Sequence, residues 1–259
     1  MRRIQLPELE DSSIIPDWYR DLMTDCLEKL SYVTKAYQRT CPLLEKLLFR
    51  STSKRIIDFG SGGGGPWLHS LFPLLREKFP SLQLVLTDLF PNKDTEQAIA
   101  EANLSGPVTY VKHSVDMTEP QSDLEGVRVM FTSFHHLNST DAKKCLQNAI
   151  DARAPFGIFE VTRRSIGHLL MTFLIPILVL LVTPFIKGKR VQRIIFTYLI
   201  PIVPLGCFWD GLVSNFRTYS AAEISALILS LENAEEFIFE QGEFPVLGPL
   251  KGSYLIGYL

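Results

Sequence analysis

The sequence predicts an α/β protein built on a mostly parallel sheet, and three observations carry the prediction. Between Arg55 and Thr162, short apolar runs alternate with segments of helical spacing: "RIIDFG", "LQLVLTDLF", "VTYVKHSVD", "VRVMFTSF" and "FGIFEVT" read as strands. Runs that are apolar at consecutive positions suit strands covered on both faces. The first of these strands leads straight into "GSGGGGPW", five glycines within six residues, and then into a helix-spaced segment. Linkers of that composition are usually flanked by serine and polar residues; a strand, glycine turn and helix instead present bare N–H groups at a positive helix end. Finally, "EFIFEQGEF" and "GSYLIGYL", joined by "PVLGPLKG", place two strands in succession at the end of the chain. That breaks the alternation and calls for an antiparallel edge hairpin.

The remaining elements follow in order. In "IIPDWYRDLMTDCLEKLSYVTKAYQ", Trp18, Leu22, Cys26, Leu30 and Val33 recur at spacings of three and four, an amphipathic helix face. Pro42 opens a second short helix, where a missing N–H costs nothing. After Pro66, residues Leu68, Leu71, Phe72, Leu74, Leu75 and Phe79 give a third; "KDTEQAIAEANL" gives a fourth, and "STDAKKCLQNAIDA", with Ser139 as its N-cap, a fifth. Two almost wholly apolar runs, Leu169–Ile186 and Ile194–Trp209, flank the basic link "KGKRVQR". The segment "SAAEISALILSLENA" reads as one more helix before the hairpin. The resulting division is a helical N-terminal cover (1–53), an α/β core (54–164 and 211–259) and an apolar insertion (165–210).

With 259 residues the chain is long enough for one large domain, and its net charge of −2 gives no general case for nucleic-acid binding. Cys26, Cys41, Cys145 and Cys207 form no C-x-x-C pair and read as reduced thiols rather than a disulfide framework or zinc site. "MRRIQLPELEDSS" lacks the apolar centre of a secretory signal.

No lysine follows the glycines as a P-loop requires. Gly60, Gly62 and Gly65 do fit the dinucleotide spacing G-x-G-x-x-G, though so rich a run fits almost any such pattern. Asp58 precedes the glycines by two residues, where a carboxylate repels a pyrophosphate and suits a ligand carrying a cation. Asp88 ends the next strand, where an acid can accept both hydroxyls of a ribose. Together, "DFGSGGG" (Asp58, Gly60, Ser61, Gly62, Gly64), Asp88 with Leu89, "HSVDM" and "TSFHHL" resemble the motifs of class I S-adenosylmethionine-dependent methyltransferases. The resemblance covers Arg55 to Thr162 and the C-terminal helix and hairpin. It implies a seven-stranded, mostly parallel sheet of Rossmann-like methyltransferase type whose last strand is antiparallel, and S-adenosyl-L-methionine as cofactor. Asp88 would hold the ribose, Asp116 the adenine amine with Val115 against the base, and Thr132 would belong to the fourth-strand motif of enzymes acting on small lipophilic molecules. The glycine run is richer than that family's, and the insertion belongs to no standard core. Two other readings stay open: an NAD(P)-dependent oxidoreductase, for which "YVTKAYQ" sets Tyr32 and Lys35 one residue too close, and a non-catalytic, membrane-anchored module on the same fold.

Methyl transfer from a sulfonium needs donor, methyl and acceptor in line, and a neutral acceptor also needs a base. His135 and His136 follow the fourth strand at the ligand-binding edge, and Glu160 ends the fifth strand; all three are candidates. Asn138 and Asp141 are too few ligands for a hard cation, so no metal is expected. Trp67 reads as core, and His69, His113 and His168 as ordinary. The first apolar run would reach about 27 Å as a helix, close to a bilayer's hydrocarbon thickness, yet Pro176, Pro184, Pro201 and Pro204 interrupt the insertion. With the catalytic domain in the cytoplasm, a spanning hairpin would put the basic link outside; a re-entrant or interfacial hairpin would set it against anionic headgroups. The expectation is a membrane-associated enzyme acting on a lipophilic acceptor.

Overall fold

The computed structural model describes residues 1–104, 106–121 and 123–259. Its strands are β1 (Arg55–Phe59), β2 (Gln83–Thr87), β3 (Val108–Tyr110), β4 (Val127–Phe131), β5 (Phe156–Glu160), β6 (Ile238–Leu247) and β7 (Leu250–Tyr258), in one sheet of order β3-β2-β1-β4-β5-β7-β6. The first five are parallel, and β7 runs antiparallel to both β5 and β6. Strand order reverses between β1 and β4, which opens a crevice at their carboxyl ends.

The helices are α1 (Asp17–Thr34), α2 (Cys41–Arg50), α3 (Phe72–Lys78), α4 (Thr95–Ala102), α5 (Ser139–Asp151), α6 (Ile166–Thr172), α7 (Ile175–Val182), α8 (Arg190–Ile194), α9 (Ile202–Arg217) and α10 (Ala221–Leu229). Successive strand residues point to opposite faces. Ile56, Leu84, Leu86, Val129 and Phe131 therefore pack under α2 and α3, while Ile57, Val85, Met130 and Ile158 pack under α5 and α10. Both faces are buried, which is why the strands read as continuous apolar runs.

Four local readings change. Asn138, not Ser139, caps α5: its Oδ1 accepts from the amides of Thr140 and Asp141 at 2.9 and 3.1 Å. The third strand keeps only three residues, and "KHSVD" leaves the sheet to form the crevice wall. Before α3 the chain makes one wide turn, Phe72 N donating to Trp67 O; Pro73 has no N–H to offer the preceding turn, so the backbone widens ahead of it. The final hairpin is longer than its turn residues suggest. Strand pairing runs through Pro245 to Leu247 and Leu250 with a bulge beside the proline, tolerated because β6 is an edge strand.

The insertion is not a free-standing hairpin. Val179 of α7 and Val203 and Cys207 of α9 pack on Tyr19, Leu22, Met23 and Cys26 of α1, forming a third core. Because α9 is continuous from Ile202 to Arg217, the expected boundary at 210/211 falls inside a helix. Part of the basic link turns inward, while Lys187 and Arg190 stay exposed. Lys189 pairs with Asp21 at 2.6 Å and Asp94 at 2.8 Å, and buried Arg193 pairs with Asp25 at 2.7 Å, so these charges meet α1 rather than a headgroup layer. Among the described residues, no single helix is long and apolar enough to cross a membrane. Two bent pairs are, by length and composition: Ile166–Thr172 with Ile175–Phe185 at 44°, and Arg190–Leu199 with Ile202–Arg217 at 74°.

Ahead of α1, the first sixteen residues form an irregular strap along α9. Leu9 and Glu10 donate their amides to the Asp210 carboxylate at 2.7 and 3.1 Å. Ile4 N bonds Phe216 O at 3.1 Å, and Arg20 holds the carbonyls of Glu10 and Ser12 at 3.0 and 2.8 Å.

Candidate active site

The glycine turn is held from below. Gly60 and Ser61 both donate to Thr87 O at 3.0 Å, and Gly62 N donates to Asp88 Oδ2 at 2.7 Å. Gly60 has φ +75°, and a Cβ there would stand 2.7 Å from Ser133 Cβ. At Gly64, φ is +126° and a Cβ would meet Leu68 at 2.8 Å. Only glycine meets both demands, a left-handed backbone and no room above it.

Two cavities flank this turn. The larger, of about 350 Å³, lies between the turn, α1 and the insertion helices, with an apolar wall of Leu30, Met171, Ile175 and Leu178 and a polar end of Glu8, His135 and His136. The smaller, of about 180 Å³, is bordered by Arg20, Asp88, Leu89, Asn92, Val115 and Asp116. They meet at Gly60, Gly62, Thr132 and His136, which line both.

Each candidate takes a definite place. Asp88 accepts one amide on each oxygen, from Gly62 and from Phe90, the latter at 2.8 Å; its carboxylate still has lone pairs for a ligand. Burial raises its pKa despite those bonds. Val115 N donates to Asp88 O at 2.9 Å, locking the two crevice edges together. Asp116 Oδ1 accepts from Thr118 N and Oγ1, both at 2.8 Å. Thr132 stands at φ +48°, held by N donation to Phe159 O at 2.8 Å and by the Tyr37 hydroxyl at its Oγ1. Asp58 departs from expectation. It is buried beneath the turn, accepts from the Trp67 indole at 2.9 Å, and lines neither cavity. Desolvation raises its pKa well above the ordinary carboxylate range, and its Oδ1 is buried without a hydrogen-bond partner, so in this structure Asp58 anchors Trp67.

The histidines sit in a carboxylate frame. His135 Nδ1 bonds Glu160 Oε2 at 2.8 Å, and His135 N donates to Glu160 Oε1 at 3.1 Å. Glu160 is thereby occupied on both oxygens and does not line the large cavity; it positions His135 and is not a free base. His136 Nδ1 bonds Asp11 Oδ1 at 2.6 Å. Burial alone would lower the His135 pKa, but Glu160 and Glu8 outweigh it and lift the value to about 10. Arg217 and Arg3 hold the backbone beneath the pair, Arg3 Nη2 donating to Leu137 O at 2.7 Å and Arg217 Nε to His135 O at 3.3 Å.

No protein-family model matches the chain, and no curated protein sequence does. Solved structures do match. The plantazolicin methyltransferase BpumL, in complex with SAH, superposes with a TM-score of 0.53 at 9% identity, over 94% of this chain and 98% of that one. The mitomycin 7-O-methyltransferase MmcR gives 0.52 at 16% identity, over 93% of this chain and 56% of its own length. A bacterial Hen1 methyltransferase domain gives 0.50 at 9% identity, over 86% of this chain and all of that one. These likenesses agree with the strand order and the antiparallel β7. The chain has the class I methyltransferase fold.

In open α/β sheets ligands bind at the strand-order switch, and the glycine turn, Asp88, Asp116 and the histidine pair all gather at this one, between β1 and β4. The sequence reading missed the residues that reach this edge from the N-terminal strap, α1 and the turn after it: Glu8, Glu10, Glu28 and Tyr37. A signal existed. Asp21, Asp25 and Glu28 repeat at spacings of four and three, an acidic stripe on a helix whose apolar face had already been counted, and "PELED" gathers three acids in five positions.

These acids set the pH dependence of stability. Desolvation, with Asp25 nearby, pushes Glu28 up to about 8, and desolvation takes Asp210 to about 6. The folded protein holds protons that the unfolded chain loses above its ordinary carboxylate pKa, so stability falls as pH rises through these values. His135, protonated up to about 10, acts in the same direction above pH 6.5. Glu8 and Asp11 are lowered, and their contribution is lost on the acid side. Thermal melts are expected to peak near the ordinary carboxylate range, at about pH 4, and to fall above it as Asp210 and then Glu28 hold protons that the unfolded chain has lost. One proton's difference is worth about 1.4 kcal/mol per pH unit, or roughly 3–5 °C in a domain of this size. Glu28→Gln is expected to flatten the descent between pH 6 and 8; an unchanged slope would contradict the assignment.

Proposed function

We propose that the chain is an S-adenosylmethionine-dependent methyltransferase acting on a small lipophilic acceptor at a membrane surface on the cytoplasmic side. One observation carries the reading: the apolar cavity walled by Met171, Ile175 and Leu178 opens onto the smaller, acid-bordered cavity at Gly60, Thr132 and His136. The residues fit the cofactor. Asp88 retains acceptor capacity for two ribose hydroxyls, Val115 and Leu89 give a base apolar contact, and Ser61 Oγ is buried without a partner beside the turn. When bound, S-adenosylmethionine would supply an electrophilic methyl group. The chain's own part is to hold the acceptor in line from the larger cavity, to exclude water with the strap and insertion helices, and to orient the acceptor's polar end at Glu8, His135 and His136. Positioning alone is a large share of catalysis in such displacements.

Calorimetry comparing S-adenosylhomocysteine with NADH tests the cofactor: binding of the first and not the second is expected, and the reverse would establish the oxidoreductase reading. Labelled product from lipid extracts given labelled cofactor separates an enzyme from a binding module.

The outer face of the insertion supports the membrane reading. Leu170, Phe173, Leu181, Phe185 and Leu199 are each more than 60% exposed, although the inner faces of the same helices are packed. So large an apolar patch marks a contact surface, and its aromatic and aliphatic content suits a helix lying in the lipid interface. With Lys189 and Arg193 engaged by α1, attachment is expected to be mainly apolar. The protein should float with liposomes of neutral or anionic lipid with little loss in salt, and Phe173→Glu with Leu199→Glu should release it. Flotation of that double variant at wild-type level would remove the membrane assignment.

A further inference from the structure

Glu8, His135 and His136 bring one carboxylate and two imidazoles together, with their ligand atoms all within 4.8 Å of one another. His135 Nε2 lies 3.5 Å from Glu8 Oε1, and His136 Nε2 lies 3.4 Å from Glu8 Oε2. A charge-assisted hydrogen bond would be about 2.7–2.9 Å. Instead His135 Nε2 and Glu8 Oε1 have no hydrogen-bond partner, although their residues are only 1% and 2% exposed. Two buried polar atoms that face each other unbonded call for something between them. The two imidazole nitrogens each face one oxygen of the same carboxylate, and ligand atoms within 4.8 Å of one another can close on one ion with bonds of about 2.1 Å, whose tetrahedral edges are about 3.4 Å.

The surroundings are those of a metal centre. Histidines that bind metal give their other ring nitrogen to a carboxylate, which fixes ring and tautomer. Both do so here: His135 Nδ1 to Glu160 at 2.8 Å and His136 Nδ1 to Asp11 at 2.6 Å. Glu8, Asp11 and Glu160 set three carboxylates around the two imidazoles, with the Arg217 guanidinium 3.4 Å from Glu8, so the acidic surroundings favour a cation at this point. The remaining coordination position would face the large cavity, which all three ligands line.

We propose that Glu8, His135 and His136 bind a divalent first-row transition ion, zinc by preference for two imidazoles and a carboxylate. Its open position would receive an oxygen or nitrogen donor of the molecule in the apolar cavity. Glu160 and Asp11 are positioning residues for the two imidazoles.

Metal uptake needs neither methyl donor nor turnover, so its failure leaves the methyl-transfer reading untouched, and the converse holds. The full-length chain, stripped with chelator, is titrated with Zn²⁺ by calorimetry and with Co²⁺ by visible absorption. One equivalent of zinc, and intense four-coordinate cobalt bands erased by added zinc, are expected. Glu8→Ala and His136→Ala should abolish uptake, and Asp11→Asn should weaken it by about 10- to 100-fold, with unchanged far-UV circular dichroism. If the alanine variants do not fold, the wild-type cobalt spectrum and Asp11→Asn decide. No stoichiometric uptake by the wild type, only weak six-coordinate cobalt bands, or wild-type affinity in folded Glu8→Ala would each overturn the site.

Discussion

Gly60→Val is expected to abolish binding of S-adenosylhomocysteine while leaving the sheet intact. The backbone at this position has φ +75°, and the first atom of any side chain would meet Ser133 Cβ at 2.7 Å. Ser133 cannot swing aside, because its hydroxyl donates to Phe59 O at 3.0 Å across the β1/β4 gap. Nor can Gly60 retreat, since its amide and that of Ser61 are tied to Thr87 O at 3.0 Å. A branched residue forced into the left-handed region costs about 1–2 kcal/mol before any clash. The turn must therefore lift into the space between the two cavities that a cofactor would cross. Calorimetry on the folded variant checks this, and wild-type affinity would show that the turn does not contact the ligand.

His135→Ala is expected to lower turnover by about 10²-fold, by misplacing the acceptor, with S-adenosylhomocysteine affinity within a few-fold of wild type. The basis is placement. His135 lines the larger cavity and not the smaller one, and Glu160 fixes its ring through Nδ1. Glu160→Gln keeps an acceptor at that distance but removes its charge, so a smaller loss and a displaced pH–rate profile are expected. Single-turnover rates with labelled cofactor and lipid extract measure both. If cofactor affinity falls in step with rate in His135→Ala, the residue belongs to the cofactor pocket.

The parts of this fold that repeat locally could be read from the sequence. The parallel strands β1, β2, β4 and β5 are mainly apolar and buried on both faces, and the glycine run and Asp88 sit where one strand hands over to the next element, so sheet and ligand edge followed from short windows. Glu8 carries no such mark: it lies in an irregular segment with no periodicity, and only the docking of the strap on Asp210 brings it to the histidines. Glu160 was legible as a strand-end acid but not as an oriented partner of His135, because that role depends on the β4–β5 register. That Lys189 and Arg193 of "KGKRVQR" would turn to acids of α1 was not legible, because those acids lie more than a hundred positions earlier and are invisible to a local reading. Apolar content was legible in the insertion; the division into a face packed on α1 and a face left open was not.

The strap touches both compartments. Glu10 borders the larger and the smaller cavity, Glu8 the larger and Asp11 the smaller, and the segment is clipped to α9 through Asp210. An occupant of either compartment would therefore lie against the same short segment, and a change made to the strap by one occupant would be felt by the other without the two touching.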